Sequence, residues 1–355
     1  EETTAPGAPN PAAAKQPQKP ASAQPAAAAA PAAPAATAVV ASAPKKAAAP
    51  AKTGGILTAR RGGDINNLDA HQSTSLQDVP FMQLIVEGLT RIETPEEGGS
   101  IVGMLAESWE ASDTTVVWKL QKGVTFHDGT PFNAAAVKFN IDRAKDPEMK
   151  SIQADYLDGV SSVDVVDDLT VRFNTTGPNA FLLRNMADRA GYINSPTAVG
   201  KASLSEYARH AVGTHAFKFK QWVSDSHMDF EKNPSYWQSG MPALDGIRIR
   251  IIVDDAVAMA ALRAGEIDVM PISATQYDVL DGEKGIVVAE STCQCTSSLH
   301  MNRSIVPTSN LKLRQAISYA IDREALERKL GLDVPVYVQY GRWIGNIFQH
   351  GTLGK

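Results

Sequence analysis

Seven histidines and two cysteines are the side chains through which this 355-residue chain could do metal or nucleophilic chemistry. One His–Asp pair stands out, His127–Asp128 within KGVTFHDGTPF, residues 122–132. An imidazole and a carboxylate could act as base and orienter, but neighbours on a turn diverge and cannot face each other as two members of a relay. The residues that follow favour a corner: Gly129 tolerates positive φ, and Pro131 fixes the exit of the turn. A hydrolase using His127 and Asp128 is therefore the alternative, and a rigid corner is the expectation. Cys293 and Cys295 would share a face of a strand, where two thiols could bind a soft metal. Residues two apart strain a disulfide, and no second ligand pair accompanies them. His210 and His215 come nearest to a histidine pair. No G-x-S-x-G, H-E-x-x-H, G-x-x-x-x-G-K-[ST] or G-x-G-x-x-G spacing occurs, so neither a cofactor nor a resident metal is expected.

The elements that would carry these residues are legible from periodicity. GGILTARRGGDINNLD reads as a strand and a Gly/Asn/Asp loop. In LQDVPFMQLIVEGLTRIE, the spacing of Phe81, Leu84, Ile85 and Leu89 predicts a core-facing helix ended by Gly88. VVWKLQ at 116–121 predicts a strand. Asn133 is a natural cap for a helix burying Val137, Ile141 and Ala144. VDVVDDLTVRFN predicts a strand, a turn and a strand. GIRIRIIV sets Ile247, Ile249 and Ile251 against Arg248 and Arg250, a strand with one wet face. A helix follows it to Gly265, and IDVM returns as a strand, giving a βαβ unit. Asn310 caps a last helix, running to about residue 330, with Leu313, Ala316, Ile317, Ala320 and Ile321 on one side. The whole reads as a mixed α/β protein of several lobes.

Composition bounds the partners. The chain is 43% hydrophobic and 21% charged, with a net charge of −5, which draws it neither to nucleic acid nor to anionic membrane. Residues 1–53 differ: Ala and Pro fill 33 positions, and five Lys against two Glu give +3, leaving −8 for the rest. Proline removes backbone donors and alanine has little surface to bury, so this stretch is expected to be a disordered tether.

The segment MLAESWEASDTTVVWKLQKGVTFHDGTPFNAAAVKFNIDRA resembles the hallmark of the family 5 bacterial extracellular solute-binding proteins, the dipeptide, oligopeptide and nickel receptors of ABC importers. NNLDAHQSTS, VDVVDDLTVRFN, FKFKQWV, FEKNPSYWQSGMPALDGIRIRII, LRAGEIDVM and LKLRQAISYAIDREAL continue the resemblance in family order, from about Gly54 to Leu330. It implies an α/β fold of the periplasmic-binding-protein type II, two lobes plus an extra domain. Residues 1–53 would form the tether, 54–92 and 206–290 lobe I, 93–205 the additional domain, and 291–355 the start of lobe II. The resemblance further implies a monomer, exported and held near the membrane, that catalyses nothing. It would capture a small peptide or similar solute by hinge closure and deliver it to the permease subunits of an importer.

The resemblance points to six ligand-facing residues. Ser73, Thr74, Ser75 and Leu76 lie in the loop after LDAH, and Ser298 and His300 on the strand before Asn302. A nickel-chelate or haem carrier of the same family would instead use His71 or His300 and the cysteine pair. Three departures stand out. Ala135 and Ala136 occupy the first turn of the capped helix where relatives carry Glu–Asp, losing dipole contacts worth roughly 0.3–1 kcal/mol each. His215–Ala216 precede Phe217 where relatives have Gly–Pro. Relatives also continue well past Lys355, so a truncated second lobe, lacking about half of the ligand-facing surface, is the expectation.

Overall fold

The protein was examined as a computed structural model describing residues 53–94, 97–289, 299–329 and 338. Two compact units divide it, Glu1–Ile286 and Val287–Lys355.

The first unit is built on two four-stranded sheets. Strand β1 (Ile56–Arg61) is the first of the described elements and belongs to the first sheet. After it come helix α1 (Val79–Met82) and the short pair β2 (Thr90–Ile92) and β3 (Ile101–Gly103). The second sheet then forms from β4 (Ala106–Ala111), β5 (Thr115–Leu120), β6 (Val160–Asp167) and β7 (Thr170–Thr175), with helix α2 (Ala134–Lys145) between β5 and β6. Its order is β4-β5-β7-β6, antiparallel throughout. Short helices α3 (Leu182–Asn185), α4 (Pro196–Lys201) and α5 (Leu204–Tyr207) lead back to the first sheet. There β8 (Phe217–Val223), β9 (His227–Lys232) and β10 (Gly246–Ile251) complete the order β1-β10-β9-β8. Helices α6 (Asp255–Arg263) and α7 (Ala274–Leu280) close the unit.

Each sheet has its own core. Alternation along β5 turns Val116, Trp118 and Leu120 inward, where they meet Phe173 of β7 and Val137, Ile141 and Ala144 of α2. Asn133 caps α2 as expected, its Oδ1 accepting the Ala136 N–H at 3.0 Å. In β10, Ile247 and Ile249 are buried against Met228 and Phe230 while Arg248 stays exposed, so the wet face is as anticipated.

Three expectations are corrected. The helix over residues 76–88 is one 3-10 turn, Leu76–Asp78, followed by the four residues of α1. The carbonyls of Ile85 and Glu87 accept from His215 (3.0 Å) and Ile193 (2.9 Å), so the backbone beyond α1 is tied to neighbouring segments instead of a helix. Gly88 ends no helix; a Cβ there would lie 2.1 Å from the Met186 carbonyl oxygen. The IDVM segment adds a single parallel bridge, Ala59 to Val269, so β1 stands between it and β10. Pro271, two residues on, has no N–H with which to extend that ladder.

In the second unit α8 (Leu311–Ala320) is capped by Asn310, whose Oδ1 accepts from Lys312 at 2.9 Å. The expected run to residue 330 is interrupted: Ile321 is extended, and α9 (Arg323–Lys329) starts anew with Asp322 accepting the Ala325 N–H at 2.8 Å. No residue of α8 is buried, and its apolar stripe is half to largely exposed.

Candidate functional site

The loop between β1 and α1 winds itself tightly. Asn67 Oδ1 accepts the Asp69 N–H at 2.7 Å, Asp69 Oδ1 accepts that of His71 at 3.1 Å, and the Asp69 carbonyl accepts those of Gln72 and Ser73. Buried side chains from elsewhere then grip it. Arg143 of α2 donates two hydrogen bonds to Asp69, Nη1 to Oδ1 at 3.0 Å and Nη2 to Oδ2 at 2.5 Å, and a third to His71 Nδ1 at 3.0 Å. The Ser73 carbonyl accepts from Arg189 at 3.1 Å and from Gln153 at 3.4 Å. At the far end, Arg61 donates to the Gln77 carbonyl at 2.6 Å, reaches Asp78 at 3.4 Å and stacks over the Phe81 ring at 4.7 Å. Burial raises the Asp78 pKa, opposed by the Asn66 N–H and the Arg61 charge.

This bracing sorts the four loop residues singled out in sequence. Ser73 faces inward: it is buried, and its hydroxyl oxygen accepts the Ser75 N–H at 3.2 Å. Ser75 is half-buried and caps the following turn, accepting the Gln77 N–H at 3.2 Å. Thr74 is exposed, and Leu76 is 72% exposed. Beside them a cavity of about 570 Å³ opens at the carboxyl end of β1, lined by Arg61, Gly62, Gly63, Gln77, Phe81 and Met270 among others. The carboxyl ends of parallel strands are where α/β folds receive ligands. His300 lies exposed in the second unit, whereas Ser298, Cys293 and Cys295 fall outside the described residues.

Arg61, Arg143, Gln153 and Arg189 were not anticipated. For Arg143 a signal existed: it lies three residues from Asn140 and seven from Ala136, on the buried side of α2. A polar residue on an apolar stripe marks a buried partner.

His127 and Asp128 do diverge. His127 Nε2 donates to the His215 carbonyl at 2.8 Å, while Asp128 accepts from Thr130 Oγ1 and Ser195 Oγ, each at 2.5 Å. Gly129 takes φ +83° between them. Ser195 Oγ also accepts the Ala198 N–H to cap α4, so these groups form corner and cap bonds and assemble no relay. Burial holds the His127 pKa down at about 4. His71, suggested as a metal ligand, is likewise buried with its pKa lowered to about 4, and its Nδ1 is occupied by Arg143. The described residues hold no cluster of three His, Cys, Asp or Glu fit for a metal ion.

Comparison with known proteins matches this architecture. The chain is 31% identical over 272 residues to the glutathione-binding protein GsiB of Pectobacterium atrosepticum, covering 75% of this chain and 51% of GsiB. The DppA periplasmic binding protein of Helicobacter pylori, solved with the peptide STSA, aligns with a TM-score of 0.60 at 27% identity over 66% of this chain and 50% of its own. NikZ of Campylobacter jejuni, solved with Ni(L-His), shares the fold with a TM-score of 0.68 at 24% identity over 78% and 55%. The chain spans about half the length of the curated relatives it matches. Residues 100–340 match the bacterial extracellular solute-binding proteins, family 5 Middle, and the chain belongs to that family.

Proposed function

We propose that this chain is the extracytoplasmic solute-binding part of an ABC importer, that it captures short peptides, and that it catalyses nothing. The observation that carries this reading is the braced loop. Thr74 and Leu76 are presented outward at the carboxyl end of β1, on a backbone fixed by buried Arg143, Gln153 and Arg189. A surface held rigid before binding loses little entropy when it meets an extended peptide. The relatives' names agree, since GsiB is called glutathione-binding and DppA was solved with a tetrapeptide. In this reading 54–92 and 206–290 are lobe I, 93–205 the additional domain, and 291–355 the start of lobe II. Contacts made to both lobes at once would drive closure. The Ala/Pro-rich residues 1–53 would hold the monomer near the membrane where the permease waits. The test is to purify the full chain without unfolding it and to identify by mass spectrometry the small molecules released on denaturation. The expected result is a short peptide enriched over a blank without the protein, lost in Thr74→Arg. Recovery of metal chelates alone, or peptide retention by Thr74→Arg, overturns the reading.

A further inference from the structure

A second cavity, of about 480 Å³, lies against the loop on the side of Gln153 and Asp188. That volume falls within the roughly 300–1,000 Å³ typical of small-molecule pockets. Its wall is continuous with the braces described above. Gln153 lines it while donating to the Ser73 carbonyl, and Asp188 lines it while its neighbour Arg189 donates to the same carbonyl.

The charges around the cavity do not cancel. Asp188 Oδ1 accepts the Arg189 N–H at 2.7 Å and sits 3.8 Å from Arg189 Nε, so its charge is met by a cation buried behind the wall. Arg91 is met by Glu97 at 3.1 Å and Glu93 at 3.9 Å. Arg184, the remaining cation of the lining, is exposed, and its guanidinium has no hydrogen bond or ion pair among the described residues. The same lining holds neutral donors. Gln83 Nε2 donates to Tyr192 Oη at 2.7 Å, which leaves the phenol O–H itself to donate, and burial raises the Tyr192 pKa so that the proton stays. A guanidinium and a hydroxyl-bearing residue lining one cavity form an acceptor-seeking site, and a carboxylate is the small group that suits a guanidinium fork best.

We propose that the pocket formed by Gln83, Arg184 and Tyr192 is a subsite for a carboxylate of the captured solute. This rests on the peptide-capture reading. The carboxylate could be an acidic side chain or the peptide's own terminus, and three probes separate them: Ala-Glu-Ala, Ala-Gln-Ala and Ala-Gln-Ala with an amidated end. Titration calorimetry on the full chain and on Arg184→Gln is the experiment. Loss of the carboxylate that occupies the subsite is expected to weaken binding about tenfold, the order of one charge-assisted hydrogen bond. In Arg184→Gln that difference should vanish while the weaker peptide binds as before, and Arg184→Lys should restore part of it. A drop between the first two peptides assigns the side chain; a drop between the last two assigns the terminus. Equal affinity for all three, or an Arg184→Gln variant that weakens all three alike, overturns the subsite alone. Failure of all three to bind overturns peptide capture and the subsite with it.

Discussion

Asp69 and Arg143 are both buried, so each depends on the other to be tolerated inside. Removing one partner of such a pair leaves a stranded charge, and Arg143→Ala is expected to cost about 3–5 kcal/mol in urea unfolding. The double change Asp69→Asn, Arg143→Met should cost less than the sum of its parts, because no charge remains unpaired. His127 makes a smaller and pH-dependent contribution. Its folded pKa of about 4 lies below the ordinary 6.5, so between those values the unfolded chain binds more protons than the folded one. Stability from this residue is therefore complete above pH 6.5 and is lost as pH falls toward 4, and His71 adds in the same direction. His127→Ala should lower stability at pH 7 by about 1 kcal/mol, since the His215 carbonyl loses one of its two side-chain donors and keeps Asn233. It should also flatten the slope between pH 6.5 and 4 and leave peptide affinity unchanged. A tenfold selective loss of affinity would show that the corner reaches the ligand.

Among the elements, the segment after α1 depends on close backbone approach. Gly88→Ala would set a methyl 2.1 Å from the Met186 carbonyl oxygen, and Gly213→Ala would set one 2.2 Å from that of Ile85. Both atoms are backbone and cannot swing aside. Each change is expected to destabilise by about 1–3 kcal/mol or more, measured as a shift in the urea midpoint at constant slope. Gly88 also shows where sequence reading stops. Elements whose periodicity and caps act within a few residues were legible: β5, α2 with Asn133, the β6–β7 pair, and β10 with its alternating Ile and Arg. Phe81, Leu84, Ile85 and Leu89 showed helical spacing too, yet the carbonyls of Ile85 and Glu87 bond to residues more than a hundred positions away. No local signal carries that. The site was legible to the same degree. Thr74 and Leu76 do face outward, but Ser73 is turned in by Arg189 and Gln153, and both of those residues come from distant turns.

At the scale of the whole molecule, residues 1–53 contain little that could be buried, and deleting them is expected to leave the unfolding midpoint of the remainder within about 2 °C. A larger loss would mean that the Ala/Pro-rich stretch packs against the body. The first sheet has a different dependence on the length of chain. Its first strand, β1, pairs in register with β10, and Gly55 donates to the Asp245 carboxylate across 190 residues. The second sheet lies wholly within that span and closes on itself through neighbouring strands. At a synthesis rate of about 5–20 residues per second, β1 waits on the order of 10–40 s for its partner to emerge from the ribosome. Throughout that interval the earliest strand has an open edge, and its sheet cannot assemble however favourable the final contacts are. The order of strands along the chain thus acts as a delay line, in which the second sheet can assemble while the first is still held open.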